Sequence, residues 1–264
     1  MKTILNTIVD NKRHEVAELK KKYTYADFED SPYFSEKTRS LKRHILNQNF
    51  GIIAEIKRKS PSAGEIRSEI NVVEQGQFYE QNQVAGISCL TDHTFFGGST
   101  DDLKELRRNV SIPVLRKEFI IDEIQLFESK AIGADAILLI AEVLQPEEAL
   151  HFTIMAQSLG LEVLMECHDR ANLAKINDLV DIVGVNNRDL HLQKTDIQTS
   201  IDLFDFLPKD KVCITESGIR SYSELLELSK VGYKGALVGE SILKHANPGV
   251  FVQSLQSLNG RYAR

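Results

Sequence analysis

The chain has 264 residues, of which 42% are hydrophobic and 27% are charged, and its formal net charge is −6. This composition is ordinary for a folded globular protein, and the acidic balance disfavours a broad nucleic-acid surface. No stretch approaches the roughly 18 apolar residues of a membrane span, and no secretory leader is apparent. We therefore expect a cytoplasmic protein with neither a membrane nor a nucleic acid as partner.

The first predicted element is an amphipathic helix close to the start of the chain. Its segment, TILNTIVDNKRHEVAELKKK, sets apolar residues at helical spacing among charged ones. Strand-like patterns begin only after residue 48. We interpret residues 1–48 as a helical extension and residues 49–264 as one barrel domain.

Eight short apolar runs then alternate with amphipathic helical patterns, several of which end in the glycine typical of a helix C-terminus. This alternation indicates parallel strands joined by crossover helices. Eight units without an intervening linker predict a closed (β/α)8 barrel, the TIM barrel, rather than an open Rossmann-like sheet; the G-x-G-x-x-G fingerprint of the latter is missing. The runs are GIIAEIK, GISCLTD, PVLRKEF, AILLIAEV, EVLMECH, DIVGVNN, VCITESG and GALVGES.

The first strand run carries charged groups to its end, in the segment IIAEIKRKSPSAG. Strand alternation places Glu55 and Lys57 on one face and Ile52, Ala54 and Ile56 on the other. In a (β/α)8 barrel the chemistry lies at the C-terminal ends of the strands. We therefore expect the ionisable pair at the barrel mouth and the apolar set beneath the helices.

Ionisable and amide side chains stand at the ends of several further strands. Each alone fits a solvated loop charge or a structural ion pair, but their convergence on one mouth would shift pKa values and suit proton transfer. The set is Glu55, Lys57, Lys117, Glu166, Asn186, Arg188 and Glu216.

The third strand is ambiguous, because VLRKEFI could direct either Lys117 or the pair Arg116 and Glu118 inward. Lys117 shares a face with Leu115 and Phe119. This position favours Lys117 as a partly desolvated lysine beside an aromatic wall.

Three loops carry further patterns. TESGIRS and LVGESIL place Gly218 and Gly239 after strands seven and eight, where many barrels bind phosphate through backbone N–H groups; tight turns are the alternative. HTFFGGS, after strand two, holds two adjacent phenylalanines. They are either a wall or lid for a flat apolar ligand or a packing surface for the N-terminal helix.

Three cysteines, Cys89, Cys167 and Cys213, lie far apart in apolar runs. Without a Cys-x-x-Cys pair or clustered histidines, they are interpreted as reduced packing residues. A nucleophilic pair of Cys167 with His168 is disfavoured, since neighbours on a strand point to opposite faces.

At these residues the chain closely resembles the indole-3-glycerol phosphate synthase family. The motifs AEIKRKSPS, FFGGS, LRKEFI, GVNNRDL, TESGI and LVGES occur in the family's order over about nine tenths of the chain. The resemblance implies a small phosphorylated substrate, 1-(2-carboxyphenylamino)-1-deoxyribulose 5-phosphate. The product would be indole-3-glycerol phosphate, formed with loss of carbon dioxide and water. No metal or organic cofactor is implied, and we expect a monomer.

The resemblance also implies roles for individual residues. Lys117 would be the acid of ring closure, with Glu166 as base and Lys57 as second acid in the later steps. The implied catalytic set is Glu55, Lys57, Lys117, Glu166, Asn186 and Glu216. The implied substrate contacts are Ser60, Pro61, Ser62, Phe96, Phe119, Arg188 and Ser217. The implied phosphate contacts are Gly218, Gly239 and Glu240.

Departures from the family pattern are small. Glu118 stands where the family mostly carries Asp and should point away from the mouth, and His168 lies at a variable position. Rival interpretations are another sugar-phosphate barrel, such as a phosphoribosylanthranilate isomerase or a Schiff-base aldolase using Lys117, and an inactive barrel that senses a phosphorylated metabolite.

Overall fold

The computed structural model describes residues 3–189 and 194–260, and its centre is a closed barrel of eight parallel strands. Neighbouring strands follow the chain order, and β8 pairs with β1 through Gly51↔Gly235 to close the ring. Each of the eight predicted runs contains one strand, so the predicted (β/α)8 fold is confirmed. The strands are β1 Gly51–Ile56, β2 Gly86–Leu90, β3 Val114–Lys117, β4 Ala136–Ile140, β5 Glu162–Cys167, β6 Ile182–Asn186, β7 Val212–Glu216 and β8 Gly235–Val238.

The side chains of β1 alternate between the two faces of the barrel wall. Ile52, Ala54 and Ile56 belong to the buried cluster between the strands and the helices. Ile53 belongs to the cluster inside the barrel. Glu55 lies two residues beyond Ile53 and shares its inward face, which confirms the predicted orientation of this strand.

Helices connect the strands, and their ends follow local sequence. The Ser221 hydroxyl accepts the Glu224 N–H, 3.3 Å away, at the start of one helix, and Gly232 ends that helix at a φ of 128°. The helices are α1 Ile4–Lys22, α2 Tyr25–Glu29, α3 Pro32–Ser35, α4 Leu41–Leu46, α5 Val72–Gln81, α6 His93–Phe96, α7 Thr100–Asn109, α8 Ile124–Ala131, α9 Pro146–Ser158, α10 Gln198–Leu203, α11 Tyr222–Val231, α12 Glu240–Lys244 and α13 Pro248–Leu255. Short 3₁₀ turns span Asn172–Lys175, Phe204–Phe206 and Gln256–Asn259, and a small hairpin pairs Lys59–Ser60 with Gly64–Glu65.

Two of the four helices before β1, α4 and α1, lie at opposite ends of the barrel. In α4, Leu41 and Ile45 are fully buried and belong to the cluster inside the barrel, so this helix forms its floor. A Cβ at Gly86 would lie 2.5 Å from Leu41 Cδ1 and 3.1 Å from the Pro113 carbonyl oxygen, so α4 packs directly against the backbone at the start of β2. At the opposite end, Ile8 of α1 lines the main cavity.

The division between extension and barrel remains a prediction. The predicted boundary at residues 48 and 49 falls between the end of α4 at Leu46 and the start of β1 at Gly51. Among the helices of the described residues, none is both long enough and apolar enough to cross a membrane.

A buried carboxylate, Asp135, ties together several elements at the N-terminal end of β4. Its side-chain oxygens accept the backbone N–H groups of Arg39, at 2.8 Å, and Val114, at 2.9 Å. The guanidinium of Arg107 lies 3.1 Å from the same carboxylate. Since Asp135 is fully buried, these partners offset the cost of removing its charge from water.

We predict that Asp135→Ala lowers the free energy of unfolding by about 3–5 kcal/mol, because it removes the buried carboxylate beside Arg107 and leaves this guanidinium with the half-exposed Glu36, 3.1 Å away. Urea unfolding of both proteins measures the difference. The control is Asp101→Ala, which removes an exposed ion pair with Lys104 and should cost less than about 1 kcal/mol. Equal effects of the two substitutions would contradict a structural role for Asp135.

Candidate active site

A cavity of about 940 Å³ lies at the C-terminal ends of the strands, where a (β/α)8 barrel carries its chemistry. Its lining includes every site residue that the sequence predicts. These residues are Glu55, Lys57, Ser60, Pro61, Ser62, Phe96, Lys117, Phe119, Glu166, Asn186, Arg188, Glu216, Ser217, Gly218, Gly239 and Glu240. The structure therefore brings the whole predicted set to one place, although their roles remain proposals.

Lys117, at the end of β3, lines this cavity. Its Nζ is 2.9 Å from Glu166 Oε2 and also donates to Glu216 Oε2. Arg116 points the other way, since its guanidinium donates to Glu128 and to the Ser129 hydroxyl. The ambiguity of the third strand is thus resolved in favour of Lys117.

The ionisable groups of this cluster shift one another's pKa values. Burial would lower the pKa of Lys117, but the carboxylates of Glu166, Glu216 and Glu55 raise it above the usual lysine value. Burial also opposes ionisation of Glu166, yet Lys117 and His168 hold the pKa of this carboxyl below its usual range. Burial and the charge of Glu166 raise the pKa of Glu216 to about 7, against the effect of Lys117. At neutral pH the cluster therefore holds a lysine cation and an ionised Glu166.

The end of β1 supplies a second acid–base pair. Lys57 Nζ lies 2.5 Å from Glu55 Oε1, and both groups are largely buried. A Cβ at Gly239 would lie 2.6 Å from the same Oε1 atom. Glycine at position 239 therefore makes room for the Glu55 carboxylate as well as for a close approach of the α12 backbone to a ligand.

Arg188 connects the loops on two sides of the mouth. Its guanidinium donates to the Ser62 hydroxyl at 2.5 Å and lies 3.7 Å from Glu240 Oε2. Its backbone N–H donates to Asn186 Oδ1 at 3.0 Å, which orients the Asn186 amide at the end of β6. The arginine is thus positioned by groups from β1, β6 and β8 loops.

The loop after β7 has an uncommon backbone conformation. Ser217 and Gly218 both adopt positive φ values, 65° and 78°. Ser217 is held there because its carbonyl accepts the Asn187 side-chain amide at 3.0 Å. A non-glycine residue in this conformation is uncommon and marks a strained, functionally interesting position.

An aromatic and aliphatic wall forms another side of the cavity. The rings of Phe96 and Phe119 lie 5.9 Å apart at an angle of 34°. Asp92 Oδ1 accepts the Phe95 N–H at 2.7 Å and caps α6, the helix that presents Phe96. Ile8 of α1 also lines the cavity. The phenylalanine loop therefore forms a wall of the cavity, as one interpretation expects. It also borders the same space as the N-terminal helix, which the other interpretation involves.

Glu118, predicted to point away from the mouth, is one of the residues that border the cavity. Its carboxylate is nevertheless occupied. Oε1 lies 2.9 Å from Lys12 Nζ, and Oε2 accepts the Thr91 hydroxyl at 2.7 Å. Lys12 also lies 3.1 Å from Asp92 Oδ2. These buried ion pairs attach α1 to the end of β3 and to the phenylalanine loop.

Sequence reasoning missed several contributors to the site. The contribution of Ile4, Leu5 and Ile8 could not be predicted, because an amphipathic helix does not reveal what it packs against. Gly184 was missed as well, although a Cβ there would lie 2.1 Å from Glu216 Oε1. A glycine inside a strand run was the available indication, since it often marks a close approach.

Three cysteines predicted to be packing residues are free and buried. Cys89, Cys167 and Cys213 all belong to the cluster between strands and helices. Cys167 therefore faces away from the mouth. Within residues 3–189 and 194–260, no group of three or more Cys, His, Asp or Glu is arranged to hold a metal ion.

Comparison with known proteins places the chain among close relatives. Residues 5–255 match the family described as "Indole-3-glycerol phosphate synthase". A protein of that name from Bacteroides thetaiotaomicron is 41% identical over 254 residues, which cover 96% of this chain and 98% of the relative. Another of that name, from Legionella pneumophila, is 40% identical over 259 residues, which cover 97% and 100%.

Solved structures support the same architecture. A 3-hexulose-6-phosphate synthase from Salmonella typhimurium has a TM-score of 0.64 at 14% identity, covering 81% of this chain and all of that one. A tryptophan synthase subunit alpha from Legionella pneumophila has a TM-score of 0.60 at 16% identity, covering 83% and 96%. At these identities the likeness concerns the fold alone.

The closed barrel and the acid–lysine cluster at its mouth define a (β/α)8-barrel enzyme. The match over residues 5–255 and the identities near 40% make the assignment more specific. The chain belongs to the indole-3-glycerol phosphate synthase family.

We predict that Lys117→Met makes Glu166 and Glu216 share a proton at neutral pH, because two adjacent buried carboxylates cannot both ionise readily without the cation. The folded variant then holds a proton that the unfolded chain releases. Glu216 of the parent itself holds a proton below a pH of about 7, so the variant should differ from the parent above that pH. Its free energy of unfolding should decrease as the pH rises from about 7 to 8, by up to about 1.4 kcal/mol per pH unit beyond the parent. Urea unfolding across this pH range measures the slope.

The matched control is Lys130→Met. Lys130 is also buried, but its ammonium donates to the backbone carbonyl of Glu36 at 2.7 Å. Its removal leaves no pair of facing carboxylates, so the pH slope should stay that of the parent. A parental slope in Lys117→Met would show that the cation does not control these two glutamates.

Proposed function

We propose that this cavity binds 1-(2-carboxyphenylamino)-1-deoxyribulose 5-phosphate and converts it into indole-3-glycerol phosphate in tryptophan biosynthesis. Carbon dioxide and water are released, which makes the enzyme a carboxy-lyase. Family membership supports the reaction. The observation that carries the proposal is the buried Lys117, held by two carboxylates in the same cavity as an aromatic wall and two glycine loops.

Lys117 is the acid of ring closure in this proposal. The aryl carbon attacks the sugar ketone, and negative charge develops on the carbonyl oxygen. A buried lysine cation stabilises this charge and donates the proton. The raised pKa keeps Lys117 protonated before the step. Glu216, which accepts a hydrogen bond from Lys117, orients the ammonium group.

Glu166 and Lys57 serve the later steps. Decarboxylation restores the aromatic ring, and dehydration then needs an acid at the departing hydroxyl and a base at the neighbouring proton. Glu166 is the base, because it is ionised and faces the cavity. Lys57 is the acid at the hydroxyl, and Glu55, 2.5 Å away, orients it.

Substrate binding divides between the two sides of the cavity. Phe96 and Phe119 flank the anthranilate ring, and Arg188 and Asn186 bind its polar groups. The remaining proposed substrate contacts are Ser60, Pro61, Ser62 and Ser217.

The phosphate is bound by backbone N–H groups near Gly218, Gly239 and Glu240. The positive φ values of Ser217 and Gly218 support this assignment, since a tight turn can present backbone N–H groups to an anion. No positively charged side chain is required in the first contact, although Lys244 also lines the cavity.

A Schiff-base aldolase is disfavoured by the same cluster. Such an enzyme needs a neutral lysine amine as nucleophile. A buried lysine without neighbouring carboxylates would have a lowered pKa and would supply that neutral amine. Lys117 instead faces Glu166 and Glu216, which keep it protonated.

We also propose that the enzyme is a cytoplasmic monomer. The formal net charge of −6 supports this state, because charge well away from zero keeps proteins soluble and separate. Light scattering should give a mass near 29.8 kDa.

We predict that Lys117→Ala folds but loses nearly all turnover, by on the order of 10²-fold or more, because it removes the cation that stabilises the developing oxyanion. Formation of the indole absorbance from the synthetic substrate measures the rate and tests the proposed function itself. Lys130→Ala, a buried lysine away from the cavity, should keep parental turnover. Turnover of Lys117→Ala within about threefold of the parent would refute the assigned role.

We predict that Gly218→Val raises the Michaelis constant for the phosphorylated substrate at least about tenfold and abolishes competition by inorganic phosphate. The added Cβ would lie 2.5 Å from Thr195 Cγ2, so the loop must move. Binding of anthranilate, which lacks phosphate, should stay nearly unchanged. Steady-state kinetics and calorimetry measure the two effects.

The control for backbone strain is Gly160→Val. Gly160 has nearly the same φ, 77°, but the nearest atom to its added Cβ is 3.9 Å away. This variant should bind phosphate normally. Unchanged phosphate competition in Gly218→Val would place the anion elsewhere, and equal weakening of both ligands would indicate collapse of the mouth.

A further inference from the structure

His168 is a buried titratable residue that the mechanism above does not use. It follows β5 directly and lies two residues beyond Glu166, so both side chains are on the inward face. Its Nε2 is 3.6 Å from Glu166 Oε1, and its Nδ1 is 2.8 Å from Glu142 Oε1. The imidazole therefore lies between two carboxylates, one of them the proposed base.

Glu142, in the loop after β4, is held in place independently of the imidazole. Its Oε1 accepts the backbone N–H of His168 at 3.0 Å and the side-chain amide of Asn172 at 2.9 Å. Asn172 is itself bound through its backbone N–H to Asp169 Oδ1 at 2.9 Å. These bonds fix the carboxylate opposite Nδ1.

The charges around His168 favour its protonated form. Burial would lower its pKa, but Glu142 and Glu166, with a contribution from Glu216 on β7, raise it above the usual histidine value. Asp169, next in the chain, adds another acidic group nearby. Two cations lie near these groups: Lys117, on the far side of Glu166, and Lys175, whose ammonium donates to the carbonyl of Ala141 at 2.6 Å, next to Glu142 in the chain.

The two oxygens of Glu166 consequently face different cations. Oε2 is 2.9 Å from Lys117 Nζ, and Oε1 faces His168. Lys117 gives up its proton during ring closure, and the basicity of Glu166 would then change abruptly. A second cation on the opposite oxygen limits that change and holds the carboxylate in one orientation.

We infer that His168 and Glu142 form a positioning pair, in which the imidazolium orients Glu166 and keeps it ionised while Lys117 exchanges its proton. The inference rests on the proposed role of Glu166 as base. His168 acts through Glu166 and does not touch the substrate, so its loss should affect kcat far more than KM.

The kinetic test is the pH profile of indole formation by His168→Asn. Removing the imidazolium raises the pKa of Glu166, so the acid limb of kcat should move to higher pH. A shift of about one pH unit lowers kcat about tenfold on that limb, whereas KM should stay within about threefold. Glu142→Gln, which weakens the charge on His168, should shift the limb in the same direction but less.

The matched control is His151→Asn. His151 is also paired with a glutamate, since its Nε2 lies 2.6 Å from Glu123 Oε1, but both groups are exposed on the surface. This variant should keep the parental profile. A uniform loss of kcat at every pH in His168→Asn, without a shifted limb, would indicate a merely structural role and overturn the inference.

A second measurement does not depend on turnover. The ring proton resonance of His168, assigned by its absence in His168→Asn, can be followed by NMR as the pH changes. Its pKa should lie above the usual value near 6.5 in the parent and should fall in Glu166→Gln, which removes one of the two carboxylates. An unchanged His168 titration in Glu166→Gln would overturn the pairing.

The outcomes distinguish failure of the proposed function from failure of the role assigned to His168. A parent enzyme that forms no indole product would refute the proposed function and this inference with it. An active parent whose acid limb does not respond to His168→Asn would refute the positioning role alone. Should His168→Asn fail to fold, the pH profile of Glu142→Gln decides the same question, and an acid limb that does not move in that variant overturns the inference.

Discussion

The ion cluster of Lys117 with Glu166 and Glu216 is the constraint on which the rest of the site depends. A buried lysine is costly without carboxylates, and adjacent buried carboxylates are costly without a cation. The barrel brings these groups together because inward side chains of alternate strands form layers. Here β1, β3, β5 and β7 supply Glu55, Lys117, Glu166 and Glu216. The layer at the mouth is therefore ionic, whereas the interior of the barrel below it is apolar.

Much of this arrangement could be predicted from sequence because it follows from short-range rules. The period of two in β1 determines that Glu55 faces inward, and the same period places Lys117 with Leu115 and Phe119. The parallel strands then carry their ends to one mouth without any knowledge of the contacts. Even the loops near Gly218 and Gly239 follow from chain order in a closed barrel.

Contacts between segments distant in the chain could not be predicted in this way. The amphipathic pattern of α1 does not say that Lys12 reaches Asp92 and Glu118, or that the apolar face of α1 borders the cavity. The need for glycine at position 184 arises from side chains on the neighbouring strands, Glu216 above all and also Leu164. These features depend on register and docking, which local patterns do not encode.

The floor formed by α4 also bears on how the chain folds. Leu41 and Ile45 share their cluster with Ile182 of β6 and Val212 of β7, which lie far along the chain. Joining such distant segments costs loop-closure entropy before the contacts form, and this slows folding. Pairing β1 with β8, which closes the barrel, also joins segments that are far apart in the chain. Docking of α4 on the barrel floor and closure of the barrel should therefore be late, slow steps in folding. In both steps the first part of the chain packs against the last strands.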